Sequence, residues 1–358
     1  MNVEAARAQF PVLARLAYLN AGSMGPLARA TVEAMGDRQL RDLEQGRTGR
    51  PYYDDMFQLR ERVRAALAGT ISVPAGNVAL TASTTEGCNI VLAGLRLRPD
   101  DEVVTTDTEH FGLLGALHAS GATVRVARVR EQPLEQAVDT VVAQVTPRTR
   151  LVALSHVSWQ NGNLLPVEEI QEATGLPMLV DGAQTAGAIA VDAARFDFYT
   201  LSGQKWLCGP DSTGGLYVRD PEALHVALPT YFSQEGYEET GAFTPRRGAA
   251  RFDGGWIPTA SLAGLEAALG TIPHWAAHHS ADVAARCWAL LSERFTVVTA
   301  PGQANLVSFV PDGDPAEVVR RLAERGVVIR DLPGTGWARV SCGWWTNDAD
   351  LERLIDSL

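Results

Sequence analysis

From residue 77 to residue 220 the chain alternates short apolar runs with stretches of helical periodicity. The runs read "NVALTAS", "DEVVTTD", "ATVRVARV", "RLVALSHVS", "PMLVDGA" and "FDFYTLSG". Strand-length runs separated by helix-length segments predict a mainly parallel sheet covered by helices. In such α/β architectures ligands bind beyond the carboxyl ends of the strands, and the polar residues of this chain cluster where the runs stop. From about residue 260 the pattern changes to an amphipathic helix, "ASLAGLEAALGTI", then strand-like "FTVVT" and "NLVSFV", a helix around "PAEVVRRLAERG" and a terminal helix after Asn347. This α+β segment predicts a smaller second unit. The stretch from Ser233 to Gly255, rich in Gly, Glu and Arg, has neither period and reads as a long functional loop or crossing connection.

Composition narrows the classes. With 358 residues, 46% of them apolar and 20% charged, the chain can bury a large core and form two domains. No apolar run approaches bilayer-spanning length, and the N-terminal "MNVEAARAQFPVL" carries Glu4 and no apolar signal core, so a cytoplasmic protein without membrane contact is expected. The net charge of −11, with basic residues scattered along the chain, argues against a nucleic-acid partner. Cys88, Cys208, Cys287 and Cys342 form no CxxC pair and read as reduced, packed thiols. His274 and His278 in "HWAAHH" can share a helix face, but the glutamate of a zinc-protease motif is missing, and no metal is expected.

The basic residues hold one oddity. Of 31 lysines and arginines, Lys205 in "TLSGQKWLCG" is the only lysine. Arginine replaces lysine as a surface charge, but it keeps its proton and cannot attack a carbonyl. Lys205 is therefore either a Schiff-base nucleophile or a leftover surface charge. Asp181 ends a buried strand in "LVDGAQTAG"; a carboxylate there needs a cation such as a pyridinium nitrogen, unless it only starts an Asp-Gly turn. Ser83, Thr84 and Thr85 precede an apolar helix and form either a phosphate cradle or a simple N-cap, and Ser202 and Gln204 can close the same cradle. His110 in "DTEHF" lies past a strand, placed to stack on a planar cofactor or to sit at a solvent edge. Neither a GxGxxG spacing after a strand nor a GxxxxGK[ST] loop is present.

The run "LVDGAQTAGAIAVDAARFDFYTLSGQKWLCGPDSTGGLYV" resembles the core signature of the class V, fold-type I pyridoxal-phosphate enzymes, and the likeness extends from "YLNAGSMGPL" to "ARVSCGWWTNDADLERL". The resemblance implies pyridoxal 5′-phosphate as cofactor, Lys205 as the Schiff-base lysine, Asp181 on the pyridine nitrogen, Gln184 near the ring hydroxyl and His110 on the ring face. It assigns Thr84, Thr85, Ser202 and Gln204 to the phosphate, and Arg339 to the substrate α-carboxylate with Asn20 in the same substrate site. It also implies a homodimer, with Arg246, Arg247 and Arg251 candidates to reach the neighbour's site. The implied division is a large cofactor-binding domain over 21–255 and a small domain over 256–358, with the N-terminal segment 1–20 associated with the small domain. Two positions depart from the family pattern. Gln204 stands where many relatives have histidine, and Trp256 in "RFDGGWIP" stands where many have an intersubunit threonine, with Thr259 a possible substitute.

Cysteine desulfurases of this group need a nucleophilic cysteine after the small-domain arginine segment, yet "VVIRDLPGTGWARVSCGWW" has none between Ile329 and Arg339. Within the group the chain resembles the cystine C–S lyases, through "TEGCNIVLAGL", "LSHVSWQNGNLLPV" and two arginines nine apart. Arg330 then takes a second substrate carboxylate or forms a surface ion pair. The expected reaction is β-elimination from a cystine-like amino acid to pyruvate, ammonia and a persulfide or thiol. An aminotransferase or an epimerase of the isopenicillin N type remains open, as does a non-catalytic binding relative.

Overall fold

The computed structural model describes residues 2–358. Its larger sheet has seven strands in the order Val78–Thr81, Gly214–Val218, Phe198–Ser202, Met178–Asp181, Thr149–Ser155, Glu102–Thr106 and Thr123–Ala127. Six run the same way and Gly214–Val218 alone is reversed, as the alternation of strand and helix predicts. The apolar runs do not alternate with polar residues because both faces are covered. Val104, Val152, Leu154 and Val180 enter one core with Leu59, Val63 and Leu67 of the helix Gly49–Thr70. Their neighbours Val103, Leu151, Ala153 and Leu179 enter the other, with Val91 of the helix Thr84–Gly94 and Leu117 of Phe111–Ala119. Each buried aliphatic side chain contributes about 1.5–3 kcal/mol, so a one-residue register slip would expose none of these faces but would exchange the two cores.

A second, antiparallel sheet has the order Thr296–Val297, Leu306–Val310, Trp337–Ser341, Arg330–Leu332. The helices Ala276–Ser292, Pro315–Glu324 and Asp348–Ser357 pack on it through Cys287, Leu291, Leu322 and Leu354. The N-terminal Ala17–Tyr18 pairs in parallel with Val327–Val328, which carries the start of the chain to this sheet before it returns to the large one.

Two segments differ from the expected layout. The helix Thr259–Thr271 begins the smaller unit in the sequence reading, yet it packs on the helices Arg29–Gln45 and Gly49–Thr70, and Leu262 and Leu265 join the core under the large sheet. Its amphipathic pattern specifies burial without specifying against what. The aperiodic stretch Ser233–Gly255 contains a hairpin, Gln234–Tyr237 with Phe243–Pro245, whose residues alternate only between partly buried and exposed, so no apolar face marks it in the sequence. Arg246 and Arg251 are held within the chain: Arg246 lies over Phe57 and donates to the Gln234 carbonyl, and Arg251 pairs with Glu222, while Arg247 is exposed. At the end of this stretch Asp253 is buried with Arg60 and Arg64. Its carboxylate accepts three guanidinium hydrogen bonds of 2.9 Å and one from Leu80 N–H, also 2.9 Å. Burial alone would raise its pKa, but the Arg64 and Arg60 charges hold it below the usual value.

Candidate active site

Sheet register sets Asp181 between Ser155 on one neighbouring strand and Thr200 on the other, at the carboxyl ends. Asp181 is buried, and its Oδ1 accepts a hydrogen bond of 2.9 Å from Ala183 N–H. Burial raises its carboxyl above the ordinary value, against the countering charge of Lys205. Lys205 stands in the turn leaving Phe198–Ser202. Burial lowers its amine from 10.5 to about 8; Asp181 supports the charged form, and Arg339 and Arg330 oppose it. A partly unprotonated amine at neutral pH suits a nucleophile. The N-terminal segment clamps this turn: Gly25 N–H donates to the Gln204 carbonyl at 2.8 Å, and a Cβ on Gly25 would lie 2.1 Å from the Lys205 carbonyl oxygen. Only glycine permits that approach.

His110 caps the helix Phe111–Ala119, with Nδ1 accepting from Gly112 N–H at 3.1 Å. Burial, then the charges of Lys205, Arg330 and Arg339, lower it from 6.5 to about 4, so the ring is neutral and carries its proton on Nε2. The ring stands edge-to-face with Trp159, centroids 5.1 Å apart. Arg330 and Arg339 are a directly opposed cross-strand pair, so their side chains leave the sheet on one face. Arg339 is fully buried; Nη1 donates to the Trp159 carbonyl at 2.6 Å, and Nε has no partner. Arg330 Nη1 donates to Ser23 Oγ at 3.1 Å, which in turn donates to Asn20 Oδ1 at 2.9 Å. Asn20 thus reaches the arginines through Ser23. Neither arginine has an acidic partner among the described residues, and burial with the repulsion of Arg330 brings Arg339 down to about 9.

On the opposite side, Ser83 caps the helix Thr84–Gly94 by accepting from Glu86 N–H, leaving the first amides at Thr84 and Thr85 outside the helical pattern. This helix start meets that of Phe111–Ala119, since a Cβ on Gly112 would lie 2.4 Å from Thr85 Oγ1. Ser202 Oγ donates to Gln204 Oε1 at 2.6 Å. Gln184 is fixed at both ends, Nε2 to the Gly22 carbonyl and Oε1 from Trp206 Nε1, each at 2.9 Å. Within the chain the Thr259 hydroxyl donates to the carboxylate of Asp42 at 3.2 Å. Trp256 is 60% exposed and stacked on Tyr231.

Residues 27–349 match the family described as Aminotransferase class-V. The chain belongs to the class-V aminotransferase family. Its cofactor is pyridoxal 5′-phosphate. Among curated relatives of this class-V chain, isopenicillin N epimerase of Streptomyces clavuligerus is 28% identical over 99% of this chain and 97% of its own. Cysteine desulfurase CsdA of Escherichia coli K12 is 28% identical over 98% of this chain and 96% of its own. A solved structure of the cystine C–S lyase C-DES with its reaction product cysteine persulfide is 29% identical, with a TM-score of 0.90 over 97% of this chain and 98% of that one. A C-DES mutant with glycine covalently linked to the PLP cofactor superposes equally well, also at 0.90.

The residues present fit the cofactor. A buried amine titrating at about 8 can anchor it, a buried carboxylate can face its ring nitrogen, and two adjoining helix starts can receive its phosphate. The buried Arg339, with an orphaned Nε and no acid beside it, can take a carboxylate ligand. The sequence reading missed Trp159, Ser23 and Glu109. Glu109, beside His110, accepts from Ser155 N–H at 2.8 Å, and from Ser155 Oγ and Thr106 Oγ1 at 2.5 Å. Burial raises it to about 7 despite those donors. An acid directly before His110 and a tryptophan inside a polar turn were the available signals.

Proposed function

We propose that this class-V protein is a carbon–sulfur lyase that acts on a cystine-like amino acid by β-elimination. The observation that carries the reading is the pair Arg330 and Arg339, two guanidiniums on one face of the second sheet with no acidic partner among the described residues. A substrate with two carboxylates neutralises both, and arginine's planar fork suits each. A desulfurase route is disfavoured because all four cysteines are buried, with the Cys88, Cys208 and Cys342 thiols pushed well up by burial. For Cys342 its contact with Cys287 is the larger cause. A thiolate nucleophile needs a low pKa and access. The turn between the arginine strands, residues 333–336, contains no cysteine.

Bound in this site, pyridoxal phosphate supplies an electron sink that lowers the barrier to losing the Cα proton of an amino acid. The chain's residues then divide the work. Lys205 would anchor the cofactor, and its free amine would remove the Cα proton at Nζ. Asp181 would hold a proton at the ring nitrogen, and the neutral His110 would cover the ring face. Gln184 would lie toward the ring hydroxyl, and Thr84, Thr85, Ser202 and Gln204 would hold the phosphate. Arg339 fixes the α-carboxylate and Arg330 the distal one. With cystine the Cβ–S bond breaks with its electron pair going to sulfur, and the balance is cystine plus water giving pyruvate, ammonia and cysteine persulfide. Persulfide leaves as a stabilised anion, so no acid is required to protonate it.

The test is pyruvate release by cofactor-loaded protein given L-cystine, with L-cysteine in parallel. Rapid pyruvate with persulfide from cystine supports the lyase; no pyruvate from either substrate overturns it. The epimerase among the relatives favours a second reading, Cα proton exchange with inversion, which solvent deuterium uptake without pyruvate would reveal.

A further inference from the structure

Three contacts converge on Trp159, a residue assigned no role so far. It lies in the turn after the strand Thr149–Ser155, closed by Ser158 N–H to the Asn163 carbonyl and Gly162 N–H to the Ser158 carbonyl, both at 3.0 Å. The second sheet fastens that turn: Ser308 Oγ donates to the Gln160 carbonyl at 2.5 Å, and a Cβ on Gly162, at φ +72°, would lie 2.4 Å from the Leu306 carbonyl oxygen. The turn is therefore a rigid bridge between the sheet bearing Asp181 and the sheet bearing the arginines. From it the Trp159 carbonyl accepts from Arg339 Nη1 at 2.6 Å, and the ring meets the edge of His110 and lies 5.8 Å from the Arg330 guanidinium carbon. Its Nε1–H is buried without a partner.

We propose that Trp159 is the specificity-determining residue for a two-carboxylate substrate, its carbonyl setting Arg339 and its ring face setting Arg330. The inference rests on the two-carboxylate reading of the site. Two like-charged guanidiniums with no acid between them would diverge toward water. Arg339 is restrained by a backbone acceptor and Arg330 by the negative face of the indole, while Ser23 Oγ accepts from both, at 3.1 Å from Arg330 and 3.5 Å from Arg339. The unpaired indole N–H adds a neutral donor, which a buried site leaves unmet only at a cost unless a ligand accepts from it. The ring acts on Arg330 while the carbonyl acts on Arg339, so a side-chain substitution separates the two. It should weaken recognition of the distal carboxylate and leave the α-carboxylate untouched.

The probes are L,L-2,7-diaminosuberate, in which two methylenes replace the disulfide of cystine, and L-norleucine, which has one carboxylate. Cofactor-loaded wild type, Trp159→Leu and Trp159→Phe are titrated with each, and the change in cofactor absorption gives Kd. Wild type should bind the diacid more tightly. Trp159→Leu should lose about tenfold for the diacid and stay within about twofold for norleucine, and Trp159→Phe, which keeps an aromatic face, should lose about threefold for the diacid. Wild-type selectivity retained in Trp159→Leu, or equal weakening of both ligands, overturns the role of Trp159 alone. Absence of diacid preference in wild type overturns the two-carboxylate reading, and this inference with it. Should the leucine variant fail to hold cofactor, the phenylalanine variant decides by the same criteria.

Discussion

Because Lys205 is the only lysine, its ionisation can be read chemically without competition from any other lysine. Burial moves its amine from 10.5 to about 8, with Asp181 opposing that move and Arg339 and Arg330 reinforcing it. At pH 7 a group titrating at about 8 is roughly 9% unprotonated, against roughly 0.03% at the usual value, an increase of about 300-fold in reactive amine. The assay is reductive methylation of the apoprotein with formaldehyde across pH 6–11, followed by peptide mass analysis to separate Lys205 from the α-amino group. The rate at Lys205 should rise about tenfold per pH unit and level off near 8. Asp181→Asn removes the charge that supports the ammonium and should move the plateau to lower pH; Arg339→Gln removes an opposing charge and should move it higher. The same displacement appears in stability. In the apoprotein the unfolded chain binds the lysine proton between about pH 8 and 10.5 while the folded chain does not, so this group adds stability as pH rises through that window. A plateau near 10.5, or one unmoved by either substitution, would refute the electrostatic account of the site.

Arg339→Ala should lower kcat/KM by about 100-fold, mostly through KM, since two charge-assisted hydrogen bonds to a carboxylate contribute about 3 kcal/mol; Arg339→Lys should recover little, because an ammonium cannot form the fork. Unchanged steady-state kinetics would place the α-carboxylate elsewhere. Asp253→Ala removes the buried carboxylate shared by Arg60 and Arg64, leaving Arg64 only its pairing with the more exposed Glu61, and should destabilise the holoprotein by about 3–5 kcal/mol in urea unfolding. A loss below about 1 kcal/mol would mean that water reaches the two guanidiniums.

What the chain determined by itself is what depends on near neighbours. Burial periodicity and cap residues are local, so "PMLVDGA" and "FDFYTLSG" specify strands, Asp181 falls at a strand end, and Ser83 opens a helix. The single lysine stands out in the sequence alone, because only an amine can do what arginine cannot. The tertiary structure decided whatever depends on which distant surface an element meets. The helix Thr259–Thr271 is amphipathic in either unit, and only packing sends Leu262 and Leu265 to the large sheet. Arg330 could equally have ended as a surface ion pair; strand register sets it opposite Arg339, beside Trp159 and away from any carboxylate. Asp253 meets Arg60 and Arg64 nearly 200 residues back along the chain. Glycines 22 and 25 read as an ordinary loop until the fold brings Arg339 and Lys205 within a Cβ of them. Local pattern encodes how a segment buries itself, and close approach between remote segments is settled only when both sheets have formed.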